Sequence, residues 1–219
     1  RAAPEWLEVF VVDEQDKTAF ATQMRDAEVL LHVLEPVTAQ VMTGAPHLRL
    51  IQKIGVGVNT IDLDAARGRG IAVANMPGTN SQAVAEMSLA LMLATLRRVT
   101  TLDRETRRGS GWTLPLDTFD RVGEIGGRTI GLVGYGEVPR RLAPALHALG
   151  AKVLYTARTA KDDANAQWRS FPDLIDESDV IPLHVPLAAE TTNLINAQTN
   201  ARMRPGVVLI NTARGGLVD

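Results

Sequence analysis

The chain has 219 residues, 45% hydrophobic and 22% charged, with a formal net charge of -2 and no cysteine. That is enough apolar material for one large or two modest packed domains. The small net charge offers nothing to nucleic acid or an anionic membrane surface, and the lack of cysteine excludes disulfides and thiolate metal sites and suits a reducing cytoplasm.

Residue 1 is Arg and the first residues are mixed, without the apolar core of a signal peptide, so the natural start is expected upstream. Short apolar runs then alternate with helical patterns, the signature of βαβ units and a parallel sheet. LEVFVV (7–12), EVLLHV (28–33), LRLIQKIG (48–55) and IAVAN (71–75) read as strands, with DLDAARGRG as a short helix between the last two. Asn80 is the expected N-cap of an apolar helix over 81–98. Its MSLALMLATL run is too short to span a bilayer, which takes about 20 apolar residues, so no membrane insertion is expected. A polar, arginine-rich stretch with Gly109, Gly111 and Trp112 follows, and the domain boundary is placed here: 1–98, then 99–219. From residue 129 the alternation resumes, with TIGLVG, a helix over 137–149, AKVLYTA, SDVIPLHV at 178–185 and VVLINTA at 207–213. There is no internal repeat.

The second alternation carries chemistry. A strand runs into Gly134-Tyr135-Gly136, a helix follows, and a second strand ends at Ala157; strand, GxG turn, helix and strand within about 30 residues make a dinucleotide-binding unit. Gly134 permits the tight turn and Gly136 lets a pyrophosphate approach the backbone. The helix start, Glu137 and Val138, offers free N–H groups and a positive dipole end. Pro139 stands where a third glycine usually gives close helix–strand packing; near the first turn proline is tolerated, so a small displacement is expected. At the end of the second strand, an acidic residue would accept bonds from the adenosine ribose. Here Ala157 removes the anion, while Arg158 can fork onto a 2′-phosphate and Thr159 can donate to it, so NADP is preferred over NAD.

KIGVGVNTIDLDAARGRGIAVANMPGTNSQAVAE, GGRTIGLVGYGEV, SDVIPLHVPLAAETTNLI and RPGVVLINTARGGLVD together make the chain resemble the D-isomer-specific 2-hydroxyacid dehydrogenases over nearly its whole length. The Ala-Arg-Thr triplet looks like the NADP-preferring glyoxylate/hydroxypyruvate reductase branch. The resemblance implies two parallel-sheet α/β domains, a flavodoxin-like substrate domain and a Rossmann-type dinucleotide-binding domain, in a cytoplasmic homodimer. It implies that N–H groups of Val56 and Gly57 hold the substrate carboxylate. Arg214 would bind the carboxylate and the reacting carbonyl, and Val185, Pro186, Thr191, Thr212 and Ala213 would line the cofactor. The substrate would be a small 2-keto or 2-hydroxy acid. The alternative is a non-catalytic nucleotide-sensing protein on the same fold, which would need no carboxylate clamp.

The family's proton donor is a histidine paired with a glutamate, both beyond the NTARGG motif, and the chain stops at Asp219. A piece of a longer enzyme, inactive as it stands, is the expectation. His32 and His47 lie in the first half, His147 follows the glycine loop, and His184 ends a strand on the cofactor side, where a structural role is expected.

Overall fold

The apolar runs pair in parallel, in two separate sheets. The computed structural model describes residues 4–13, 15–120 and 122–219. Contacts divide the chain between Thr79 and Asn80 into two units.

The first unit holds strands β1 (Val29–His32), β2 (Leu50–Lys53) and β3 (Ala72–Ala74), in that order and all parallel. Helices α1 (Lys17–Met24), α2 (Ala39–Thr43) and α3 (Leu63–Gly68) start at Asp16, Thr38 and Asp62, whose side chains each accept from a first-turn N–H. Ile51, Met42, Val37, Ile61 and Ala66 form the core. LEVFVV does not form the expected strand. Its Val11 is 94% exposed, and no ladder satisfies it: apolar, β-branched composition supplies strand preference but not a neighbouring row of N–H and C=O groups.

The second unit holds β4 (Thr129–Val133), β5 (Lys152–Thr156), β6 (Gln167–Trp168), β7 (Val180–Leu183) and β8 (Val208–Asn211), all parallel, in the order β6-β5-β4-β7-β8. Numbered within the unit this is 3-2-1-4-5, the Rossmann order. The helices are α4 (Ser81–Leu96), α5 (Val99–Arg107), α6 (Glu137–Ala148), α7 (Phe171–Glu177) and α8 (Ala197–Arg202). Alternation along the strands fills both faces. Ile130, Leu132, Val153, Tyr155 and Ile210 meet Met92 and Leu96 of α4 and Leu142 and Leu146 of α6. Val133, Leu154, Ile181 and Leu183 pack on the other face with Leu174 and Ile175 of α7. Gly131 lies under α7, where a Cβ would stand 2.1 Å from Ser178 Oγ and 2.7 Å from Leu174.

Three expectations shift. The division falls at Asn80, not after residue 98, because α4 packs on α6 and β8 through Ala85, Met92 and Leu96. Asn80 precedes α4 but its side chain makes no capping bond. The arginine-rich stretch contains α5, a helix with no buried residue and hence no apolar period to reveal it; Asp103 and Arg107 pair along it at 2.9 Å.

Candidate active site

The strand order places a crevice outside the carboxyl ends of β4 and β7, where the chain switches direction across the sheet. The sequence motifs of the second unit all leave that edge. Gly134 has φ +97°, and a Cβ on it would lie 2.6 Å from the His184 carbonyl oxygen. Its N–H donates to Thr156 O at 3.0 Å, which ties the turn to the end of β5. Only glycine meets both conditions.

Gly136 differs: a Cβ there would have nothing within 4 Å. It opens α6, a helix of 12 residues whose first N–H groups receive no side-chain cap. An open approach onto uncapped N–H groups fits a pyrophosphate. Glu137, the first helical residue, sits 3.9 Å from Arg141, which partly offsets its charge at the phosphate end. Val138 is half-buried, and Pro139 is the buried third residue, where no intrahelical N–H bond is lost.

At the end of β5, Ala157 O accepts from the Trp168 indole at 3.2 Å, and Arg158 and Thr159 are exposed. Tyr155, fully buried in β5, stacks on Tyr135 of the glycine turn with ring centroids 3.9 Å apart. Its hydroxyl donates to Lys161 O at 2.6 Å and accepts from Lys161 N–H at 2.5 Å. The Tyr135 hydroxyl is buried without a hydrogen-bond partner; burial first, then the nearby Asp163 carboxylate, pushes this phenol up. Asp163 itself lies below the usual carboxylate range, chiefly through the Asn165 N–H.

After β7, Val185 is half-buried and Pro186 exposed. The Thr191 hydroxyl donates to Pro186 O at 2.6 Å and accepts from Ala188 N–H at 2.8 Å, so it closes residues 186–191 into a fixed loop. His184 begins this segment. Burial lowers its pKa to about 4 and Nε2 has no partner, so the ring is neutral at pH 7. Such a ring is a poor proton donor.

After β8, Thr212 Oγ1 lies 3.0 Å from Oγ of fully buried Ser88 on α4, whose hydroxyl is also 2.9 Å from Val84 O. Asn211 makes the turn. Its side chain accepts from Ala213 N–H at 3.0 Å and donates to Arg214 O at 2.9 Å. Arg214 is exposed, with one Nη donating to Ala213 O at 2.8 Å.

In the first unit, Val56 and Gly57 follow β2, at the carboxyl end of their own sheet. Val56 O accepts from the Asn75 side chain at 2.8 Å, and Gly55 O from Met76 N–H at 2.9 Å, which fixes the loop. The second unit thus carries all the residues expected in it, from Gly134 to Arg214, on the segments that follow the carboxyl ends of β4, β5, β7 and β8.

Three residues escaped the sequence reading. Asn211 carried a signal, since an Asx side chain two residues before an amide commonly bonds it. Tyr155 stands in an otherwise apolar strand, where its hydroxyl needs a partner. Ser88 in an apolar helix carried no such pointer.

The family profile described as "D-isomer specific 2-hydroxyacid dehydrogenase, NAD binding domain" matches residues 89–219. D-3-phosphoglycerate dehydrogenase of Mycobacterium leprae is 36% identical over 218 residues, covering 97% of this chain and 40% of that protein. Glyoxylate reductase of Thermococcus litoralis is 39% identical over 204 residues, covering 89% of this chain and 60% of that protein. The chain therefore spans only part of the length of these relatives. The solved structure of NAD-dependent formate dehydrogenase from Staphylococcus aureus in complex with NAD matches with a TM-score of 0.88 at 27% identity, over 95% of this chain and 63% of that one. Among the described residues, no helix is long and apolar enough to cross a membrane.

Proposed function

The chain belongs to the D-isomer-specific 2-hydroxyacid dehydrogenases, and from that premise we propose that it serves an oxidoreductase reducing a small 2-keto acid, such as glyoxylate or hydroxypyruvate, with NADP(H) preferred. The observation that carries this reading is Arg214. It leaves the same sheet edge as the glycine turn, on a loop locked by Asn211. A planar guanidinium matches an α-keto acid, which offers two carboxylate oxygens and a ketone oxygen. As charge builds on the ketone oxygen, a fixed cation stabilises the transition state more than the ground state. A protein that only senses nucleotide has no use for such a group.

The first-turn N–H groups of α6, with Gly134 and Gly136, would hold the pyrophosphate, and Val185, Pro186, Thr191, Thr212 and Ala213 the nicotinamide half. When bound, the dinucleotide supplies the hydride. Val56 and Gly57 would hold the substrate carboxylate through backbone N–H groups. Burial keeps His184 neutral, so it is given no proton-donating role. The same reading includes a homodimer, supported by Met87, 55% exposed on the apolar helix α4, and a cytoplasmic location, which a sequence without cysteine suits.

Ala157 presents no anion, and the exposed Arg158 and Thr159 supply donors for a 2′-phosphate. A charge-assisted bond contributes about 1.5–3 kcal/mol, about tenfold or more in affinity. Calorimetric titration with NADPH and NADH should show that preference, and Arg158→Ala should remove it. Equal affinities in the parent would defeat the NADP assignment. Turnover is tested with glyoxylate, hydroxypyruvate and pyruvate in the full protein; cofactor binding with no reduction of any 2-keto acid would favour the sensor.

A further inference from the structure

We propose that Lys161 is a second cation for the adenosine 2′-phosphate, set in place by the Tyr155 hydroxyl; this rests on the NADP reading above and extends it. Tyr155 holds both backbone polar groups of Lys161, accepting from its N–H at 2.5 Å and donating to its C=O at 2.6 Å. Tyr155 cannot move: it is fully buried and stacked on Tyr135. The Lys161 backbone is thereby fixed to the sheet, whatever its side chain.

The side chain then reaches the cofactor loop. Lys161 Nζ donates to the carbonyl of Tyr135, the central residue of the glycine turn, at 3.2 Å. The other side of that turn is tied to β5 by Gly134 N–H and Thr156 O. Residues 157–161 therefore leave the end of β5 and come back to the glycine turn, with Arg158 on the outward leg and Lys161 on the return. The adenosine ribose binds at the end of this second strand, beside the glycine turn. A 2′-phosphate there carries close to two negative charges, and one exposed guanidinium matches only part of them.

Lys161 is available for the rest. It is exposed, and its ammonium forms no ion pair among the described residues. Two acids follow on the loop: the exposed Asp162 forms no ion pair with Lys161, and Asp163 is diverted, accepting from Asn165 N–H at 2.9 Å and from its side-chain amide at 3.3 Å. A single part-buried bond to Tyr135 O leaves the other two N–H donors of the ammonium for a ligand, and a lysine is well suited to a phosphate as a point charge.

The test uses 2′,5′-ADP and 5′-AMP, titrated calorimetrically into the full protein. The parent should prefer 2′,5′-ADP. Lys161→Gln should weaken 2′,5′-ADP by about fivefold to tenfold and leave 5′-AMP unchanged, and Lys161→Arg should keep most of the preference. A parent that binds both equally would overturn the NADP reading and the role of Lys161 with it. A parent that discriminates, loses discrimination in Arg158→Ala and keeps it in Lys161→Gln would overturn Lys161 alone.

Discussion

The turns after β4 and β8 leave the same edge of one sheet and are built in opposite ways. After β4 the chain is shaped by exclusion: Gly134 passes so close to the His184 carbonyl that a methyl group has no room. After β8 it is shaped by attachment: Asn211 grips one N–H and one C=O of the residues that follow. A turn made by exclusion fixes the identity of its own residue and displays nothing. A turn made by a side-chain clamp leaves the gripped residues free in identity, so one of them can be a functional arginine. The first turn suits a backbone cradle; the second suits a presented charge.

The comparison breaks most visibly at Gly134. Gly134→Ala forces φ +97° on a residue with a Cβ and drives that Cβ to 2.6 Å from a backbone oxygen. The cost should be about 4 kcal/mol of stability, read from urea unfolding. Two residues on, Gly136→Ala puts its methyl in open space. Stability should hold within about 1 kcal/mol, while dinucleotide affinity falls about tenfold or more as the methyl occupies the phosphate approach. Similar stability losses at both positions would show that exclusion does not set the first turn apart.

At the second turn the largest effect belongs to the displayed side chain. Arg214→Ala should lower kcat/KM for glyoxylate or hydroxypyruvate by at least about a hundredfold in the full protein, with cofactor affinity little changed. Turnover within a few fold of the parent would make Arg214 a structural residue and remove the reason for calling this turn a display.

The contrast also explains what was legible in the sequence. Strands β1 to β5, β7 and β8 announce themselves as apolar runs bounded by turn residues, most strongly β4, β5 and β7, which are buried on both faces. The first glycine of the GxG turn is legible because exclusion demands one residue type there, and the second because a phosphate must approach the backbone. LEVFVV misleads for the converse reason: pairing is a property of two segments, and its own residues cannot say whether a neighbour is there. Helix α5 and strand β6 were missed because one buries nothing and the other has only two residues, both exposed. Arg214 was legible through its position after an apolar strand; Asn211 and Tyr155, which place the functional loops, act by hydrogen bonds that no periodicity reports. The contact division lies before the apolar helix and the sequence boundary after it, because an apolar helix does not tell which unit will bury it.

His184 sharpens the first turn. Its carbonyl is the wall against which Gly134 is packed, and its half-buried ring carries a buried, unpartnered Nε2. Burial lowers its pKa from 6.5 to about 4, so the folded state resists protonation while the unfolded chain accepts it. Its contribution is complete above pH 6.5 and is lost as pH falls toward 4. The parent should therefore lose about 2 kcal/mol more than His184→Gln between pH 7 and pH 4, measured by urea unfolding at each pH. Parallel pH profiles would mean that the ring is hydrated and that this wall is looser than the packing implies.

The smallest effect separates attachment from display at the second turn. Asn211→Ala removes both clamp bonds while Arg214 keeps its charge. Two partly exposed bonds contribute about 1 kcal/mol, and loss of alignment should lower kcat/KM about fivefold, with KM for cofactor moving less. A merely structural residue would lower stability without touching that ratio. The decisive form is the double variant. If Asn211 acts through Arg214, then Asn211→Ala made in an Arg214→Ala background should cost almost nothing further in kcat/KM, because there is no longer a charge to align. Additive losses would mean that Asn211 serves the site independently, perturbing Thr212 and its contact with Ser88 at 3.0 Å, and the clamp would have to be redrawn around the threonine.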